Sequence, residues 1–133
     1  DDLKIEIHRK INEIDSAEKL EDVKAELEDR FGRVNDDMLI YMYEEWFEKL
    51  AKRVGVKRVS QTKNSIELVF PEEVVSKFRV DELFMDSYEI SPSFRFLSRG
   101  SNLVIILDII KLEKHPIYYL VSLLDLIYGK FLS

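Results

Sequence analysis

Apolar residues along the first 55 positions recur at the spacing of amphipathic helices. Leu3, Ile7, Ile11 and Ile14 form a first stripe, although the alternation Leu3-Ile5-Ile7 at its start also fits a strand. Asp15 followed three positions later by Glu18 is an acidic form of the capping box and predicts the start of a second helix. That helix is expected to bury Leu20, Val23, Leu27 and Phe31 and to stop at Gly32, whose backbone suits a left-handed cap. Asn35 or Asp36 can cap a third helix, with a stripe of Leu39, Met42, Tyr43, Trp46, Leu50 and Val54 that ends at Gly55. The two short connections predict helices packed side by side.

Beyond Gly55 the pattern changes. Residues 56–60 and 66–70 are rich in β-branched side chains and flank a hairpin turn at 62–65. Pro71 fits the first position of a short helix carrying Val74, Val75 and Phe78, with a further helical turn at 83–85. Residues 88–90, 94–97 and 103–110 read as strands, the last two joined by a turn at 98–102. From Pro116 onward Leu120, Leu123, Leu124, Ile127 and Phe131 mark a closing helix. Helices, then strands, then a helix predict an α+β fold: N-terminal helices, an antiparallel sheet with an interposed short helix, and a C-terminal helix. There is no repeat and no low-complexity stretch, and proline stands only at 71, 92 and 116. The expectation is therefore one domain over residues 1–133. The Asp1-Asp2 start, without methionine, is read as that of a fragment of a longer protein.

Composition narrows the function classes. With 46% hydrophobic and 35% charged residues, the 133-residue chain is too apolar to be disordered. No run approaches 18 uncharged apolar residues, so neither a membrane span nor a membrane partner is expected, and the predicted location is cytoplasmic. The absence of cysteine excludes a disulfide framework, a thiolate nucleophile and a zinc ribbon. The net charge of −6 is unevenly placed: residues 1–55 hold 16 acidic and 10 basic side chains, and the remainder 10 of each. An acidic region repels phosphates, which argues against direct nucleic-acid binding and for a basic protein partner.

Candidate chemistry is sparse. Gly32, Gly55, Gly100 and Gly129 are scattered, so no phosphate-cradling loop and no nucleotide cofactor is expected in this segment. His8 and His115 lack ligand spacing and read as surface or capping residues, so no metal is expected. The pairs Glu44-Glu45, Glu72-Glu73 and Asp36-Asp37 fall on solvated helix faces or helix starts, where they serve solubility or the helix dipole rather than acid–base catalysis. Trp46 reads as core, as do Tyr118, Tyr119 and Tyr128. On the second helix Glu18, Asp22, Glu26 and Asp29 share one face, nearly opposite the apolar stripe. Like charges in a row add nothing to folding, so this face is either a solvated surface or a dock for a basic partner.

Directly after that stripe, residues 26–32 read E-L-x-D-R-F-G. A helix ending at Ala51-x-x-x-Gly55-Val56, then Lys57-Arg58-Val59 and Ile66-Glu67-Leu68-Val69-Phe70, follow in order. This order resembles the C-terminal domain of bacterial transcription-repair coupling factors, sharply over residues 20–70 and in element order afterwards. One departure is Asn35, where the family commonly has proline; either residue can open a helix. The resemblance implies a regulatory domain of a multidomain ATP-driven DNA translocase that removes stalled RNA polymerase and recruits the excision-repair damage-recognition ATPase. ATP and magnesium belong to a motor whose motifs do not occur here. In the family this domain folds back on an N-terminal module of the same chain and covers the surface that would bind the repair ATPase. Carried onto this sequence, the docking face is Glu26, Asp29 and Arg30, with Asp22 at its margin. Two rival readings are a free-standing acidic adaptor or DNA mimic that binds a basic protein, and a small hydrolase using a carboxylate pair with His8 or His115.

Overall fold

The computed structural model describes residues 2–133. The fold is α+β and divides into two compact units, 1–49 and 50–133, with the boundary inside the third helix.

The first unit is helical. Helices α1 (Asp2–Ile11), α2 (Ala17–Phe31) and the first part of α3 (Asp36–Val54) bury Ile11, Ile14, Leu20, Val23, Leu27, Met42 and Trp46. The cap of α2 is Ser16 rather than Asp15: its hydroxyl accepts from the Lys19 amide at 3.0 Å. A serine one position closer to the helix does the work assigned to the carboxylate. Asn35 caps α3 by accepting from the Met38 amide at 2.8 Å, which settles the choice between Asn35 and Asp36. Lys49 on α3 ties down the loop after α1 by donating to the carbonyls of Asn12 and Ile14. His8 is an exposed surface residue whose Nδ1 lies 3.0 Å from the Tyr41 hydroxyl. Two expected core residues are outside: Leu3 in the first turn of α1, and Phe31, 42% exposed, where α2 ends and Gly32 (φ 88°) turns the chain away.

The second unit holds an antiparallel sheet of β1 (Arg58–Gln61), β2 (Ser65–Phe70), β3 (Phe94–Arg99) and β4 (Asn102–Asp108), in the order β1-β2-β4-β3. The register puts Ile66, Leu68, Phe70, Leu103, Ile105, Leu107, Phe94 and Phe96 on one face. Phe78 meets the Phe70 ring there, and Phe84 meets Phe96. On the other face Val69, Val104 and Ile106 form a small cluster beside the ion pairs Arg95–Asp108 and Arg99–Glu67. Residues 103–107 are thus buried on both faces, and the strand reads as a continuous apolar run.

The helices of this unit are α4 (Glu72–Val75), α5 (Val80–Ile90) and α6 (Pro116–Ile127), the last running into a wider π-helical turn, Tyr128–Leu132. Pro71 lies just before α4 and not at its first position. His115 caps α6, its Nδ1 accepting from the Ile117 amide at 3.1 Å. The strand expected at 88–90 is the end of α5. Its periodicity is disguised because a core position is the polar Ser87, whose hydroxyl donates to the Phe84 carbonyl, whereas Phe84, Met85 and Tyr88 are exposed. Tyr88-Glu89-Ile90 therefore mimics the alternation of a strand.

Two predictions follow from this unit's local geometry. Gly55 turns the chain from α3 into β1 at φ 90°, and a Cβ there would sit 3.0 Å from a Val74 methyl. Gly55→Ala is expected to lower stability by about 1–3 kcal/mol in a denaturant titration. Glu82 accepts hydrogen bonds from Arg79 and Lys130, which hold its carboxyl at about 2 against the ordinary 4.5. A depressed carboxylate stabilises the fold fully above its ordinary value and loses that effect as the pH falls toward 2. In thermal melts Glu82→Gln should be less stable than the parent at neutral pH, and the gap should close on acidification from 4.5 to 2.

Candidate protein-docking face on the second helix

Burial of Leu20, Val23 and Leu27, each at 3% exposure or less, turns the opposite side of α2 to solvent. Glu18, Asp22, Glu26, Asp29 and Arg30 are all exposed. The four residues expected to dock a partner therefore share an accessible surface, but their electrostatic states differ.

Helix α1 runs antiparallel beside α2 and answers part of its charge. Glu6 and Lys10, one turn apart, face Arg30 and Glu26, also one turn apart. Arg30 donates to Glu6 at 2.5 Å, and Lys10 stands 3.5 Å from Glu26. The hydrogen bond from Arg30 holds the Glu6 carboxyl below its ordinary value, and the Glu6 carboxylate raises Arg30 in turn. Arg30 also lies over the Phe31 ring, 5.0 Å from its centroid, so its guanidinium is fixed from two directions. Asp22 and Asp29 form no ion pair among the described residues. With Glu18, which is also unpaired among the described residues, they carry the uncompensated charge of the face, whereas Glu26 and Arg30 form a fixed, partly neutralised edge.

An apolar recess adjoins this edge. Ile7, Leu27, Phe31, Val34 and Met38 line a cavity of about 100 Å³, together with Gly32 and the polar Arg33 and Asn35. Its volume suits a single apolar side chain, the arrangement in which interface anchors bind most strongly. The sequence reading assigned Phe31 to the core and missed this recess. The roles of Glu6 and Lys10 were readable in principle, because a Glu/Lys pair at i, i+4 matches a Glu/Arg pair at i, i+4 on an antiparallel neighbour.

No group of three His, Asp or Glu among the described residues could hold a metal ion, and no helix among them is long and apolar enough to cross a membrane. Asp36-Asp37 and Glu72-Glu73 occupy first helical turns, as expected.

The model of the TRCF domain family matches residues 1–80, more than half of the chain. The chain belongs to the TRCF domain family. Its fold is similar to that in a crystal structure of the C-terminal domain of transcription-repair coupling factor, with a TM-score of 0.80. That likeness spans 98% of this chain and 84% of the other at 23% identity. No curated protein matches the chain. The family match contains all of α2 and the residues singled out on it, and the likeness of fold extends through the sheet and α6 of this TRCF domain.

The pairing across α1 and α2 makes a specific prediction. Arg30→Ala should let the Glu6 pKa rise toward 4.5, read by carboxyl-carbon NMR titration, with little change in melting temperature because exposed ion pairs contribute little.

Proposed function

We propose that this TRCF domain is a non-catalytic regulatory module that docks through α2 on an N-terminal module of its parent protein. In doing so it masks the surface that recruits the excision-repair damage-recognition ATPase. The parent is an ATP-dependent translocase that couples removal of stalled RNA polymerase to nucleotide excision repair. The reading rests on the family match, and the observation that carries it to particular residues is the exposed Asp22/Asp29 pair beside the fixed Glu26/Arg30 edge.

The energetics fit a reversible latch. A domain tethered to its target meets it at an effective concentration on the order of millimolar. Holding a two-state latch about 99% closed takes only about 2.7 kcal/mol. Two uncompensated carboxylates facing a basic surface, with one apolar side chain seated in the recess, are enough for that. A contact of this size opens when another ligand favours the released form, and a larger one would not.

The test uses Asp22→Lys/Asp29→Lys, which reverses the free charges and leaves the pairs to α1 in place. The variant should melt like the parent and bind the isolated N-terminal module of a transcription-repair coupling factor at least about tenfold more weakly. Unchanged affinity would place the dock elsewhere on the domain.

A further inference from the structure

Helix α5 turns its bulkiest side chains outward. Leu83 and Ser87 are buried, whereas Phe84 is 47% exposed, Tyr88 61% and Met85 66%. At 100° per residue Val80, Phe84 and Tyr88 form a stripe along one flank, with Met85 beside it. The opposite flank carries Glu82 and Asp86, which hold Lys130 at 2.5 and 2.6 Å. That flank faces the C-terminal turn, so the aromatic flank looks the other way, toward β3. There the Phe84 ring meets Phe96 edge-on, with centroids 5.4 Å apart and planes at 88°. Exposed apolar side chains massed on one flank mark an interaction surface.

The neighbouring strand is open. β3 is an outer strand of the sheet, paired on one side only, with β4. Its hairpin is closed by Arg99 opposite Asn102 across a two-residue turn, with Gly100 at φ 64° as the first turn residue of a type II′ hairpin requires. At the other end the Asp108 amide donates to the Ser93 carbonyl at 3.0 Å. Antiparallel alternation between these two points directs the amides of Arg95, Leu97 and Arg99 toward β4, and the N–H and C=O groups of Phe96 and Ser98 away from it.

We infer that the open edge of β3 and the aromatic flank of α5 form a groove that receives an extended segment of a partner protein as a fifth strand. The partner's backbone pairs with Phe96 and Ser98, and its alternate apolar side chains pack on Phe84, Tyr88 and Met85. Charge identifies the kind of segment. Asp81 and Glu89 are exposed on the outer side of α5 and form no ion pair among the described residues. The nearby cations Arg79, Arg95, Arg99 and Lys130 are all paired with carboxylates. The groove's uncompensated charge is negative, so the segment it takes is flanked by lysine or arginine. A second copy of this chain is a poor occupant, because it would bring the same carboxylates together. This surface is separate from the α2 face and does not rest on the function proposed for it.

The probe is a fluorescent nine-residue peptide, Lys-Lys-Val-Thr-Val-Thr-Val-Lys-Lys, with a control in which glutamate replaces every lysine. Ser98→Pro removes an outward N–H without touching the β4 ladder, and Phe84→Asp spoils the apolar flank; circular dichroism confirms that each variant folds. The lysine peptide should bind the parent chain and slow hydrogen exchange at the Phe96 and Ser98 amides. Either variant should weaken it by about tenfold or more. Equal binding to both variants, binding of the glutamate peptide at least as tight, or no binding of the lysine peptide at millimolar concentration would overturn the proposal. So would self-association of the parent chain that Ser98→Pro abolishes, since a second copy would then be the occupant.

Discussion

The orientation of α2 is the constraint on which the candidate site depends. Three apolar side chains, Leu20, Val23 and Leu27, are buried almost completely, and a helix has only one way to satisfy all three. Burying each contributes about 1.5–3 kcal/mol, several times what an exposed ion pair supplies. The apolar stripe therefore decides which charges face water, and the ion pairs to α1 follow from that placement. Asp22 and Asp29 stay accessible for the same reason: turning them inward would expose the leucines and bury unpaired carboxylates.

Within that constraint the acidic surface is more selective than its composition implies. Ten acidic residues occupy positions 1–28 of the chain, yet Glu6, Glu13 and Glu26 are matched by Arg30, Lys19 and Lys10. The pairs fix side-chain positions rather than adding stability, and they leave a small number of free carboxylates beside an apolar recess. In the proposed docking, charge of that kind would steer encounter and fix register, and the recess would supply the anchor that charge alone lacks. Weak, reversible docking is what such a surface favours.

Much of the architecture was legible in the sequence because its elements follow simple periodicity. The three N-terminal helices, both hairpins and the closing helix show regular apolar spacing, and glycine or proline marks an end of α2, α3 and α6. The misses share a physical origin. At α5 the apolar pattern serves the surface as well as the core, with Ser87 inside and Phe84, Met85 and Tyr88 outside, so its second half resembled a strand. At Phe31 a residue in phase with the core stripe stands on the last helical position, where the chain turns away before it can be covered. The cap of α2 was misplaced by one residue because Asp15 and Ser16 are both good caps and only the backbone path chooses between them. The residues of the candidate dock were legible as a charged face with a family resemblance. Which of their charges are free was not, since that depends on pairs to the neighbouring helix, Glu6–Arg30 and Lys10–Glu26, that are distant in sequence.

The most direct test of the latch is the salt dependence of docking in trans. The chain would be titrated by calorimetry into the isolated N-terminal module of a transcription-repair coupling factor at increasing ionic strength. Docking through the free carboxylates of α2 predicts measurable binding at low salt that weakens steadily as screening increases. An affinity that does not respond to salt, or no binding at low salt, would contradict it.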